Sequence, residues 1–164
     1  MKRDPVRRAI KIRSARRSDR SAVAALWQIA DRMHAELHPQ YFRGDGRLDP
    51  RLADGLERAS EGRELLVAER DGGVIGFVLV ELLEPSRHAH AVRGRRGHID
   101  TLVVAERARR TGCGRRLIEA AVEWARAHRV EELLLTVWAG NASAERFYAA
   151  LGLQPVSSVL RLGL

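Results

Sequence analysis

Residues 18–37, SDRSAVAALWQIADRMHAEL, space Val23, Leu26, Trp27, Ala30, Met33 and Leu37 by threes and fours with polar residues between. That period predicts an amphipathic helix, with Ser18 or Asp19 able to cap its start and Pro39 just beyond its end. Before it, IKIRSA predicts a first strand; after it, HPQYFRGDGR reads as a loop. DPRLADGLERAS predicts a short second helix, with Asp49 as N-cap and Pro50 at the first helical position. The period then changes to that of strands. Two apolar runs, Leu65 to Ala68 and Val74 to Leu83, flank RDGG and predict a hairpin.

Further on, SRHAHAVRGRRG reads as a basic loop, and HIDTLVV as a strand with Asp100, Leu102 and Val104 on one face. The helical period returns from Gly114, with Leu117, Ala121, Trp124, Ala125 and His128 in one stripe. LLLTVW is continuously apolar and predicts a buried parallel strand. NASAERFYAALG predicts a capped helix ended by Gly152, and QPVSSVLRL a last strand. The order β, α, α, β, β, β, α, β, α, β predicts one α/β domain: a mixed sheet with helices on both faces. We expect residues 1–9 to be a basic arm and 10–164 the domain.

Composition narrows the class. The 164 residues are 45% hydrophobic, enough for a packed core and too apolar for disorder. No run approaches the ~18 apolar residues of a membrane helix, and the basic N-terminus lacks the apolar block of a secretory signal. The cytoplasm is the expected location, with no membrane partner. One cysteine, Cys113, leaves no internal disulfide framework or multi-cysteine metal site. The two histidines of RHAH, His88 and His90, have no carboxylate cluster beside them, so we expect no metal. The formal charge of +8 favours an anionic partner without choosing among nucleic acid, acidic protein and phosphorylated cofactor.

RARRTGCGRRL, residues 107–117, makes that choice. It sets Gly112 and Gly114 among five arginines at a helix start. Such a start offers unpaired N–H groups and partial positive charge, and glycine lets a phosphate approach the backbone. A dinucleotide fold would need G-x-G-x-x-G directly after its strand. Here Leu117 takes the third glycine's place and seven residues separate Val104 from Gly112. The lysine-containing loop G-x-x-x-x-G-K-[ST] is absent as well. The pattern that fits is [QR]-x-x-G-x-[GA], filled by Arg109, Gly112 and Gly114 after the strand Leu102–Val104. Downstream, Asn141, Ala144, Tyr148, Gly152 and Leu153 fill N-x-x-A-x-x-x-Y-x-x-x-G-[FL].

From about His98 to Leu153 the chain therefore resembles the GNAT superfamily of N-acetyltransferases, and the upstream helices and hairpin agree with that fold. The resemblance implies transfer of an acetyl group from acetyl-CoA to the amine of a small molecule or peptide, by direct attack in a ternary complex. It implies that Arg109, Arg110, Thr111, Gly112, Cys113, Gly114 and Arg115 hold the diphosphate. Leu102, Val103, Val104 and Asn141 would meet the pantetheine arm, and Tyr148 would border it as the acid that protonates the leaving thiolate. For the base it points to Asp100, with Glu81 and then His98 as rivals. Cys113 is expected to pack rather than react. His34, His38, Tyr41 and Phe42 fall where such enzymes shape the acceptor pocket, although helix packing explains them as well.

The chain departs from many relatives in leaving room for a single strand after its last helix. Its sheet edge stays short or is completed by a second copy, so a homodimer is one expectation. Two other functions stay open: a nucleic-acid-binding module built on the basic stretches, and a GNAT-like acyl-CoA sensor without turnover. Against the first, no helix-turn-helix, zinc-finger or RNA-recognition signature is present, and a 5% aromatic content offers few stacking platforms.

Overall fold

The apolar periods close around one sheet. In the computed structural model, which describes residues 9–57, 60, 62–84 and 94–163, the strands are β1 (Lys11–Ser14), β2 (Arg63–Arg70), β3 (Gly73–Leu82), β4 (Arg96–Val104) and β5 (Glu132–Leu135). The helices are α1 (Arg20–Leu37), α2 (Pro50–Glu57), α3 (Cys113–Ala127) and α4 (Ala142–Ala149). The sheet order is β1-β2-β3-β4-β5. The first three pairings are antiparallel, and β4 with β5 is parallel. The result is the expected single α/β domain with a mixed, mostly antiparallel sheet.

Six consecutive residues of β3, Ile75 to Val80, are buried, which requires cover on both faces of the sheet. Val23, Leu26 and Ala30 supply it from α1, Leu52 and Leu56 from α2, and Leu117, Ile118 and Ala121 from α3. The β2–β3 hairpin turns at Asp71 and Gly72, both at positive φ (55° and 77°), the geometry a two-residue turn needs between twisted strands. Asp49 caps α2 as expected, accepting the Arg51 N–H at 2.8 Å. Asp19 precedes α1, but its buried carboxylate does not cap that helix. It accepts two N–H groups of Arg13, at 2.7 and 3.0 Å, and the Arg16 N–H at 2.8 Å.

Three expectations need correction. The α3 helix begins at Cys113, one residue before Gly114. The parallel strand stops at Leu135 instead of running to Trp138, and it is half-buried at the sheet margin. Residues 153–163 contain no strand: no ladder forms on the outer edge of β5 among the described residues, and a strand without a partner leaves its backbone groups unpaired. Residues 1–8 of the basic arm, and His88 and His90, lie outside the described residues.

Candidate active site

Two interruptions of the sheet open the site. Thr101 pairs with Leu79 and Ile99 with Val80, so Asp100 is an extra residue with no partner on β3. It forms a β-bulge, a device that redirects side chains and bends a strand. On the other side, β4 pairs with β5 only over Arg96–Ile99 and Glu132–Leu135. Beyond Ile99 the two strands separate, and Leu102, Val103 and Val104 pair with β3 alone. Backbone groups of this half of β4 that face away from β3 are therefore available to a ligand.

The glycine turn lies where β4 ends. Arg110 and Gly112 both have positive φ, 58° and 87°. A left-handed arginine is a strained conformation of the kind that gathers at functional turns. The first backbone bond into α3 is Arg116 N–H to the Gly112 carbonyl at 3.1 Å. The N–H groups of Cys113, Gly114 and Arg115 precede it at the helix start, where an anion is favoured. Thr111 fixes the turn by donating its hydroxyl to the Ala108 carbonyl at 2.7 Å, and Arg109 Nε reaches the Val104 carbonyl at 3.4 Å. A cavity of about 840 Å³ follows α1 past Ile29 and Met33 to Ala105 and Arg109.

The two glycines do different work. A Cβ on Gly112 would meet nothing within 4 Å, so its backbone faces open space and its role is conformational. A Cβ on Gly114 would stand 3.0 Å from Phe147 Cζ. Gly114 thus lets α3 and α4 approach closely, and it carries the residue next to Tyr148. Cys113 between them is buried, and burial pushes its thiol pKa up, so it packs as expected and is shielded from reaction. An acyl-CoA diphosphate fits the chemistry of this turn: unpaired amides, open space at Gly112 and the arginines 109, 110, 115 and 116.

On α4, Asn141 Oδ1 accepts the Ala144 N–H at 3.1 Å, so this residue is the helix N-cap. Tyr148 is half-buried and packs edge-on to Phe147, with ring centroids 5.1 Å apart. Burial pushes its phenol up to about 12. Its hydroxyl has no hydrogen-bond partner among the described residues.

At the bulge, donor atoms of Glu81, His98 and Asp100 all lie within 4.8 Å of one another. That spacing suits one cation, but both carboxylates already hold guanidinium groups. Asp100 Oδ1 accepts Arg51 Nη1 at 2.5 Å and Oδ2 accepts the Thr101 hydroxyl at 2.8 Å. Glu81 Oε2 accepts Arg63 Nε at 3.0 Å and forms an ion pair with Nη2, also at 3.0 Å. Every oxygen of Asp100 is occupied, whereas Glu81 Oε1 is free of this pair. Neither arginine was marked by sequence reasoning, because each meets its carboxylate only through tertiary folding.

Loop 38–42 and the segment after β5 meet in a cluster of rings. His34 stacks on Phe42 (4.9 Å), and Trp138 contacts Phe42 (4.8 Å), Tyr41 (5.3 Å) and His38 (5.3 Å). His38 Nε2 also pairs with the Ala139 carbonyl at 2.7 Å. Burial lowers the His34 pKa, favouring the neutral form of that ring. The sequence pattern predicts a strand at Trp138 and does not mark its part here; the only local signal is an aromatic at the end of an apolar run.

Comparison with known proteins agrees with this construction. The model of the acetyltransferase (GNAT) family matches residues 25–153. An N-alpha-acetyltransferase of Sulfurisphaera tokodaii is 27% identical over 154 residues, covering 92% of this chain and 83% of that protein. The uncharacterized N-acetyltransferase YobR of Bacillus subtilis is 34% identical over 61 residues, 37% of this chain; the match spans only 25% of YobR. A crystal structure of a tetramutant of the BH1408 protein from Bacillus halodurans superposes with a TM-score of 0.86 at 26% identity, over 94% of this chain and 99% of that one. With a family model matched over most of its length, on a fold and a glycine turn that agree with it, this chain belongs to the GNAT family of acetyltransferases.

Proposed function

We propose that the chain moves an acetyl group from acetyl-CoA to the primary amine of a small molecule or peptide, by direct attack while both substrates are bound. One observation carries the reading: the open half of β4 leads into a helix start whose amides, arginines and left-handed glycine suit a diphosphate. Acetyl-CoA supplies an activated thioester, whose carbon the amine attacks as the C–S bond breaks.

The residues then have separate tasks. Arg109, Arg110, Thr111, Gly112, Cys113, Gly114 and Arg115 hold the diphosphate, chiefly through backbone N–H groups and surrounding positive charge. Along Leu102, Val103 and Val104, the backbone groups that face away from β3 meet the pantetheine arm and the reacting carbonyl, and preorganised donors are usually the largest source of such rate enhancement. Asn141 contributes one hydrogen bond while capping α4. Tyr148, protonated at neutral pH, gives its proton to the departing sulfur. Glu81 supports the role of base better than Asp100 does, since among the described residues one of its oxygens is unengaged while both of Asp100's are taken. Asp100 instead positions Arg51 and α2. His38, Tyr41, Phe42 and Trp138 border the acceptor. No helix among the described residues is long and apolar enough to cross a membrane.

Thiol release from acetyl-CoA, followed against a panel of amines, tests the proposal. Turnover with at least one amine and saturation in both substrates is the expected result. Tight CoA binding with no turnover on any amine would favour the sensor reading instead.

A further inference from the structure

Trp138 gathers a ring cluster that the acetyl-transfer chemistry itself does not need. Its ring centroid lies 4.8 Å from that of Phe42 and 5.3 Å from those of Tyr41 and His38, and the hydrogen bond from His38 to the Ala139 carbonyl holds loop 38–42 against it. Tyr41 is 51% exposed, so much of its ring is open to a ligand. In this chain the ring already holds a cation: the Arg161 guanidinium lies over it, 5.9 Å from the centroid. The residues beside Arg161 do not pin it there, since Leu160 and Leu162 are 93% and 85% exposed. It has no carboxylate partner among the described residues. The contact is therefore one of guanidinium with ring, and it forms on a chain of formal charge +8.

The cluster stands within a small molecule's reach of the bulge. Leu135 pairs with Ile99, the residue before Asp100, and Trp138 follows three residues later. Adjacent strands are about 5 Å apart and three residues extend at most about 10 Å, so the Trp138 backbone lies within about 15 Å of Ile99. The bulge end of this span is acidic. Asp49 and Asp100 share Arg51, and Asp54 and Glu81 share Arg63, so four carboxylates surround two guanidinium groups. An acceptor with a positive charge at each end is favoured twice: at the bulge by surplus carboxylate, and at the cluster by the rings.

We propose, resting on the acetyl-transfer reading, that the acceptor is a primary amine that also carries a guanidinium group, and that this group takes the seat on Tyr41 now held by Arg161. A guanidinium suits the seat better than an ammonium does, because it is planar, stacks on aromatic faces and is weakly hydrated. A small guanidino amine has this chemistry, and so does a peptide whose N-terminal amine stands beside an arginine. Arg161 is then a competitor carried by the chain itself, and it leaves the ring when the acceptor binds.

The test reads binding apart from turnover. Titration calorimetry on the full chain saturated with CoA compares agmatine, an amine and a guanidinium joined by a butyl chain, with pentylamine and with cadaverine, whose far ends are apolar and ammonium. Alanyl-arginine against alanyl-leucine forms the peptide arm. In at least one arm the guanidinium compound should bind about tenfold more tightly than its apolar counterpart, the scale of a cation over an aromatic face. The arm that shows the preference identifies the source. Tyr41→Ala should bring the ratio close to one, and Tyr41→Phe, which keeps the ring, should preserve it. Arg161→Ala should tighten binding several-fold by removing the competitor. Four outcomes overturn the proposal: no preference in either arm, cadaverine binding as tightly as agmatine, a preference that survives Tyr41→Ala, or no gain from Arg161→Ala. Thiol release is followed separately with the same amines. Turnover without guanidinium preference removes this inference and leaves acetyl transfer standing, whereas selective binding without thiol release on any amine keeps the seat and removes acetyl transfer.

Discussion

Gly112 offers a clean separation of backbone strain from ligand contact. Its φ of 87° disfavours any side chain, yet nothing stands within 4 Å of where a Cβ would sit. Gly112→Ala should therefore cost only left-handed strain, about 1–2 kcal/mol. For a chain of this size each 1 kcal/mol lowers Tm by roughly 2–4 °C. Gly112→Glu carries similar strain and adds a negative charge facing the space assigned to the diphosphate. At a separation of about 5 Å and an effective dielectric of about 20, that repulsion is about 3 kcal/mol. A penalty of that size weakens binding by about a hundredfold. Titration calorimetry with CoA, beside thermal melts of the free proteins, reads the two effects separately. The variants should melt within a few degrees of each other while Gly112→Glu binds CoA about a hundredfold more weakly than Gly112→Ala. Equal CoA affinities in two folded variants would refute the placement of the diphosphate at this turn.

Four further outcomes are expected. Tyr148→Phe should lower kcat by about a hundredfold or more, the size of general-acid help, with CoA affinity unchanged; and since burial holds the phenol near 12, a wild-type rate limb titrating at the usual phenol value of about 10 would not belong to this residue. Glu81→Gln should depress kcat more than Asp100→Asn does, and the reverse order in steady-state kinetics would remove Glu81 from the role of base. Asp19→Asn should cost about 2 kcal/mol by weakening the hydrogen bonds from Arg13. Because Arg13 holds the Asp19 carboxyl below its ordinary value of about 4, that contribution is complete above the ordinary value and is lost as pH falls through the lowered one. Urea melts of wild type and variant should therefore converge in acid, and a constant gap at all pH values would contradict the assignment. Cys113 should resist thiol reagents in the native state, leaving thiol-release assays without background from the protein; labelling before unfolding would show the helix start to be looser than described.

The hydropathy pattern located most elements because each buries one face, and a buried face leaves a period. The α1 stripe, the β2–β3 hairpin and the α3 stripe are of this kind. Patterns of local spacing also carried the glycine turn, whose chemistry lies within six residues. What the pattern left unmarked depends on distant partners. The bulge at Asp100 is a mismatch in register between two strands, and a single strand's sequence does not display register. Arg51 and Arg63 look like ordinary surface arginines until folding sets them against Asp100 and Glu81. Trp138 reads as the end of an apolar strand, but its strand ends three residues earlier because β5 leaves β4 there. QPVSSVLRL misled the strand prediction for a related reason: composition favours an extended conformation, and pairing needs an edge to accept it.

The early end of the β4–β5 ladder has an evolutionary implication. The cleft comes from two strands parting at a margin, so no cavity has to be carved from the interior. On the proposed reading, the acceptor meets a rim: loop 38–42, the residues after Leu135, and α2 with its arginine. If the rim holds the acceptor as proposed, substitutions along it retune which amine is accepted while the layers around β3 stay untouched. Selectivity and foldability are then inherited from separate parts of the chain, and a change in one need not be repaired in the other.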